Sequence, residues 1–355
     1  MADREHIQLA HGGGGQLMGE LIEQVILPAL SCAEGPALSC AEGPAPGGQQ
    51  PGRLTDAAVL AAGGGRIAFT TDSYVVKPLE FPGGDIGKLA ICGTVNDLAV
   101  AGAQPIAISM GLVIPEGMEI ALLRRLLASA GLAARQAGVA VVTGDTKVIE
   151  RGSLDALVIN TCGIGRLSER AKLGFDCLQA GDRVLLSGPL GEHGLAVMSL
   201  REHLGFSAEL KSDCAAIHCM AGELVEELGP QVRFMRDPTR GGLAATLVSI
   251  AESAGRSIEI DESAIPVNRT ALAAAEMLGL DLLTVANEGK LVAVVAAEAA
   301  EQARAILARH EIARRAAVIG TIGQETAPPL VEMVTSIGGR RIVQMPYGEE
   351  LPRIC

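Results

Sequence analysis

The chain has 355 residues, 48% of them hydrophobic and 20% charged, with no Trp, 2 Tyr and 5 Phe. That is enough for two α/β domains with cores of Ala, Val, Leu and Ile, and too apolar for a disordered chain. The net charge of −12 excludes nonspecific binding to DNA or RNA, which needs a basic surface, and every apolar run is broken by glycine, proline or charge before it reaches the length of a membrane span.

The N-terminus lacks a basic region followed by an apolar stretch, so no secretory signal is expected. Eight cysteines are scattered without a compact framework, so reduced thiols and a cytoplasmic location are the expectation. Cys214 and Cys219 have no second pair nearby, and a structural zinc site is not expected.

In chain order, His11-Gly12-Gly13-Gly14-Gly15 precedes a helical pattern over 17–30. The octapeptide LSCAEGPA at 30–37 is repeated at 38–45 and followed by PGGQQPG, a composition that suits a surface loop. Residues 66–70 read as a strand running into a turn at Asp72, 85–102 as a helix, 105–114 as a strand and 118–138 as an amphipathic helix. A short strand at 139–143 ends at Gly144-Asp145, and 154–165 reads as another. A second unit then carries strands at 182–187, 257–261, 291–296 and 317–322, with helices at 195–203, 214–228, 240–255 and 298–310. From 324 onward the pattern is short strands and turns, ending in Pro352-Arg353-Ile354-Cys355. Strand and helix signals alternate throughout, which gives an α/β (α+β) class with a boundary near 165–178.

Four aspartates stand at strand ends or turn–helix junctions: Asp72 in TTDSYVV, Asp97 in GTVNDLAVAGA, Asp145 in VVTGDTKV and Asp237 in RDPTRGGLA. Each alone reads as a cap or turn residue. Together, carboxylates gathered at one sheet edge need a cation among them, and Mg²⁺, shared with phosphates, is the natural one. Gly12–Gly15 lets a backbone approach an anion, although no Gly-Lys-Ser/Thr follows it as in a Walker loop. The pair Gly241-Gly242 opens a helix and exposes N–H groups, and Lys88 stands in the first turns of another. Lys147 and Glu288 suit proton chemistry, Glu288 because burial raises a carboxyl pKa. A cysteine at the chain's last position is either an accidental end or a thiol that receives a group in one place and presents it in another.

These motifs taken together (HGGGG, TTDSYVV, FPGGDIGKLAICGTVNDLAVAGA, TGDTKV, DPTRGGLA, NEG and the terminal PRIC) resemble the HypE family of hydrogenase maturation proteins. That family belongs to the superfamily of aminoimidazole ribonucleotide synthetase and selenophosphate synthetase. The resemblance runs from His6 to Cys355, with the tandem LSCAEGPA as a departure in a loop. It implies a two-domain synthetase-like fold with mixed sheets flanked by helices and a flexible C-terminal tail. Residues 1–170 would be an ATP-binding and dimerisation domain with a low-complexity insertion at 31–52. Residues 171–325 would be a second α/β domain, and 326–355 the C-terminal segment.

The resemblance further implies that the carbamoyltransferase HypF loads a carbamoyl group onto Cys355. ATP then drives its dehydration to a thiocyanate, and the cyano group passes to iron on a HypC–HypD scaffold. By the same resemblance Asp72, Asp97 and Asp145, with Asp237 a fourth, hold Mg²⁺ on the triphosphate. Gly12, Gly13, Gly14, Gly15, Lys88, Asn96, Asp97, Gly144 and Asp145 line the nucleotide. Glu288 and Lys147 handle the carboxamide protons, Arg353 steers the tail, and the protein is a homodimer. Two alternatives stay open: another ATP-dependent enzyme of the superfamily, and a carrier without catalysis.

Overall fold

The structure, a computed structural model, describes residues 7–13, 15–26, 55–203, 210–348 and 354–355. The N-terminal helix α1 (Gln16–Leu21) continues as a π-helical turn over Ile22–Ile26. Then come β1 (Ala58–Ala62), β2 (Gly65–Tyr74), the two-residue strands β3 (Glu80–Phe81) and β4 (Gly84–Asp85), α2 (Ile86–Val100), β5 (Ala103–Pro115), α3 (Ile120–Gln136), β6 (Ala140–Ile149) and β7 (Val158–Leu167). The long strands form a five-stranded sheet in the order β1-β2-β7-β5-β6. Its pairs are antiparallel except β5 with β6.

The carboxylate of Asp85 accepts the Lys88 N–H at 2.9 Å and caps α2, replacing a hydrogen bond the first turn lacks. The helix is apolar nearly all round and correspondingly buried: Leu89, Ile91, Val95 and Leu98 are each 0% exposed. One side lies on the sheet and another against the second unit. The amphipathic α3 buries only Leu126, Ala130, Ala133 and Ala134.

The second unit comprises β8 (Arg183–Leu186), α4 (Glu192–Arg201), α5 (His218–Leu228), β9 (Val232–Arg236), α6 (Gly242–Ala254), β10 (Arg256–Asp261), α7 (Arg269–Leu278), β11 (Val292–Val295), α8 (Ala300–Leu307), β12 (Ala317–Glu325), β13 (Val331–Val334) and β14 (Arg340–Val343). Its seven-stranded mixed sheet runs β14-β13-β10-β12-β8-β11-β9. β11 is covered on both faces, which is why it reads VAVV without alternation. One core cluster joins Leu98 and Val100 of α2 to Leu224 of α5 and Ile306 of α8. The two units therefore share apolar packing, and a cleft opens along their seam. No described helix is long and apolar enough to cross a membrane.

Three expectations change. β2 stays paired with β7 through Tyr74, so Asp72 lies inside a strand and not in a turn. β6 likewise runs through Gly144 and Asp145, paired with Met110 and Gly111 of β5. Gly144 fits there because a Cβ would stand 2.2 Å from the Met110 carbonyl oxygen. The 17–30 helix ends as an α-helix at Leu21. β1, β9 and α7 were not expected, although α7 has an Asn268 cap on Thr270 and Gly279 after it. The tandem octapeptide at 30–45 lies outside the described residues.

Candidate functional site

The cleft between the two sheets has a volume of about 710 Å³, the size of a small-molecule site. Five of its carboxylates come from separate elements: Asp56 before β1, Asp72 on β2, Asp97 on α2, Asp237 after β9 and Glu288 before β11. The Thr70 hydroxyl donates to Asp97 at 2.7 Å and the Tyr74 hydroxyl to Asp72 at 3.0 Å. Arg236 pairs with Asp56 at 3.1 Å. Arg240 lines the cleft and donates to the Gly12 carbonyl at 3.3 Å.

So many acids in one cleft hold one another's protons. Burial and then the charges of Asp72, Asp237 and Asp56 keep Asp97 well above the usual carboxylate range. Burial and Asp56 push Asp237 up to about 8, against the opposing pull of Arg236. Glu288 is raised well above its ordinary value by burial, then by Asp237 and Asp213, with Arg240 pulling it down. Its buried Oε1 has no hydrogen-bond partner among the described residues. Such a set of hard oxygens fits a divalent cation. Among the described residues no three His, Cys, Asp or Glu side chains are grouped so as to hold a metal ion by themselves.

The chain's own terminus enters this cleft. Cys355 lines it together with Asp72, Asp237 and Glu288. Ile354 is 3% exposed in the apolar cluster of α2 and α3. The Val75 N–H donates to a terminal oxygen of Cys355 at 3.2 Å, and the His193 ring meets the Ile354 carbonyl at 2.9 Å. The charge at Cys355 is the largest influence on Arg240, raising its pKa.

Asp72, Asp97, Asp237, Glu288, Gly15 and Cys355 are thus brought together in one cleft. Asp145 and Lys147 are not: they pair with each other at 3.5 Å on β6 and are 71% and 70% exposed. Gly144 packs on β5. Lys88 donates to the Gly83 carbonyl and does not line the cleft. Asn96 donates to the carbonyls of Ala215 and Glu288 and accepts the Ile217 N–H, tying the backbone beside Glu288 to α2. Gly12 and Gly13 sit beside the cleft at the N-terminal 3-10 turn, while Gly14 and Arg353 lie outside the described residues. Sequence reasoning missed Asp56, Arg236, Arg240 and His193. Arg236 and Arg240 flank Asp237 in RDPTRGG and were within reach; Asp56 and His193 carry no local signal.

The AIR synthase related protein N-terminal domain family matches residues 54–167, and the C-terminal domain family of the same description matches 179–329. The chain is 46% identical over 349 residues to Carbamoyl dehydratase HypE of Rhizobium leguminosarum bv. viciae, covering 98% of this chain and 95% of the relative. It resembles a chain of a solved HypE-HypF complex with a TM-score of 0.81 and 41% identity, over 92% of this chain and 99% of that one. Against a hydrogenase maturation protein HypE solved in complex with ATP, the TM-score is 0.79 at 40% identity, over 99% and 100% of the two chains.

Proposed function

The chain belongs to the AIR synthase related family and, within it, to the HypE carbamoyl dehydratases of nickel-iron hydrogenase maturation, and from that premise we propose that it dehydrates a carbamoyl group carried on its own Cys355, using ATP. The observation that carries this reading is the terminus: Cys355 lines the same cleft as Asp72, Asp97, Asp237 and Glu288. A carrier without catalysis has no need of buried acids there, and a ribonucleotide or selenide enzyme gives the docked thiol no role.

The reaction converts an S-carboxamide and ATP into an S-cyanate, ADP and phosphate. A carboxamide oxygen is a poor leaving group until it carries the γ-phosphoryl. The C–O bond then breaks with phosphate departing, and the nitrogen loses both protons as the C≡N bond forms. Phosphoryl transfer needs positioning and charge neutralisation above all. Asp72, Asp97 and Asp237 would hold Mg²⁺ only together with the phosphate oxygens, whose charge it would neutralise. Arg240 faces the terminal residue with a fixed positive charge. Glu288, 2% exposed with an unpartnered Oε1, accepts a nitrogen proton, and burial raises its affinity for protons.

Asp145 and Lys147 enter this reading through a second copy of the chain. Nine of the ten residues of β6 are exposed, Val142 by 64% and Val148 by 67%, and Phe69 and Ile164 stand opposed on β2 and β7, exposed by 41% and 37%. An apolar edge strand and sheet face invite pairing. A homodimer built on this sheet covers them and accounts for an acid and a base that their own cleft does not use. The carbamoyltransferase HypF loads the thiol and a HypC–HypD scaffold receives the cyano group; a HypE-HypF complex among the solved relatives supports the first of these.

The test is intact mass after incubation with HypF, carbamoyl phosphate and ATP. The expected adduct is about +43 Da on Cys355, becoming about +25 Da only with ATP, as addition of HNCO and loss of water require at an activated thiol. An adduct that stays carbamoylated with ATP leaves only a carrier, and no adduct with active HypF removes the reading.

A further inference from the structure

His193 is fully buried and has no part in the chemistry above. It is the second residue of α4, whose N-cap Gly191 has a φ of +78° that no other residue type adopts as readily. Its ring is held on three sides. Nδ1 lies 2.8 Å from the Ser212 hydroxyl, the ring edge packs on Phe81 at 5.3 Å between centroids, and Nε2 lies 2.9 Å from the Ile354 carbonyl. The tautomer follows from the partners. A carbonyl oxygen only accepts, so Nε2 carries the proton and Nδ1 accepts from Ser212. Ser212 is fixed in turn: its N–H donates to Pro82 at 2.7 Å, and its hydroxyl oxygen accepts the Cys214 N–H at 3.0 Å.

The same scaffold holds Glu288. Gly191 N–H donates to the Asn287 side chain at 2.7 Å, and Gly194 N–H to the Ala286 carbonyl at 3.1 Å. Glu288 N–H donates to Asp213, which pairs with the buried Lys290 at 3.3 Å. The base and the ring that touches the tail are therefore mounted on one hydrogen-bonded frame.

We propose that His193 is the latch of the carrier tail: its Nε2–H grips the peptide carbonyl of Ile354 and so sets where the Cys355 sulfur stands relative to Glu288. It is a positioning residue, and the proposal rests on the reading of Cys355 as the carrier. The latch reads backbone, not the group on sulfur, so it holds thiol, carboxamide and cyanate alike. Dehydration, which needs the tail inside, depends on it. Loading, which needs the tail at the partner's site, does not.

The test uses the full-length protein and compares wild type with His193→Leu, which removes the donor, and His193→Gln, whose amide N–H reaches the place of Nε2. Three rates are read: iodoacetamide alkylation of Cys355, carbamoyl loading by HypF, and single-turnover dehydration of the preloaded protein. Loss of one buried hydrogen bond predicts an alkylation rate about tenfold higher and a dehydration rate about tenfold lower in His193→Leu. Loading stays unchanged, and His193→Gln recovers most of both effects. Equal alkylation and dehydration rates in folded His193→Leu overturn the latch. So does a parallel fall in loading, dehydration and binding of a non-hydrolysable ATP analogue, which marks a general structural role. If His193→Leu does not fold, His193→Phe carries the test, since it keeps a ring against Phe81 but has no donor for the Ile354 carbonyl; alkylation no faster than in wild type then overturns the proposal. If wild type takes no adduct at all, the carrier reading fails, and the alkylation arm still decides whether His193 holds the tail.

Discussion

Replacing Asp237 with Asn should stabilise the ligand-free protein at alkaline pH while destroying its function. Asp237 is 5% exposed and its carboxyl is raised from 3.8 to about 8, first by burial and then by Asp56. The sign follows from proton counting. The native state holds this proton up to a higher pH than the unfolded chain, so between about pH 4 and pH 8 the native state binds more protons. Stability contributed by this group is therefore greatest at the acid end and is lost as pH rises through the window. At 1.36 kcal/mol per pKa unit the full cost of ionising it in place is bounded at about 6 kcal/mol. Asp72 and Asp97 are raised in the same cleft and interact with it, so the gain read from one substitution is smaller, about 1–2 kcal/mol. In a chain of this size that raises the melting temperature by about 2–4 °C at pH 8. Thermal unfolding should be followed from pH 5 to pH 8 without ligand. Asn shortens the fall in stability across the window, and ATP with Mg²⁺ stabilises wild type more than the variant. An unchanged pH slope, or an Asn variant less stable than wild type at pH 8, refutes the account of the cluster as mutually repelling acids kept for a cation.

Glu288→Gln should leave loading of Cys355 intact and slow dehydration by about 10²–10⁴-fold, the range for loss of a positioned base; intact mass then shows a persistent carbamoyl adduct, and wild-type turnover would remove Glu288 from the mechanism. Val142→Glu with Val148→Glu, both on the exposed edge strand, should convert a dimer to a monomer in sedimentation velocity; a monomeric wild type refutes the dimer and with it the role of Asp145 and Lys147. Gly242→Ala should lower the melting temperature by several degrees, because φ is +62° and the new Cβ would stand 2.4 Å from the Leu283 carbonyl oxygen; backbone strain of this kind costs about 1–3 kcal/mol, and an unchanged melting temperature contradicts the geometry of the α6 entry.

Much of this protein is written locally. The alternation of strands and helices, the Asp85 cap of α2 and the apolar VAVV of β11 follow from period, capping and turn chemistry that act over a few residues. The acids Asp72, Asp97, Asp237 and Glu288 also stand out in sequence, because their short motifs place carboxylates beside glycine turns or apolar runs. Which of them meet is a separate matter. Asp72 and Asp145 look alike in sequence, each on an edge of an apolar run, yet one lines the cleft and the other lies on an exposed strand. Strand order decides that: β2 lies second in the five-stranded sheet and β6 is its outer edge. Pairing across distant segments leaves no local trace. His193 and Asp56 show the same limit, since neither sits in a motif and each acquires its role from groups more than a hundred residues away. The sequence by itself determined most of the secondary elements, the acidic chemistry and a thiol at residue 355. Only the tertiary structure decided that the thiol turns inward to those acids, because burial of Ile354 and the hydrogen bonds to Val75 and His193 from separate segments do not exist until the chain has closed around them.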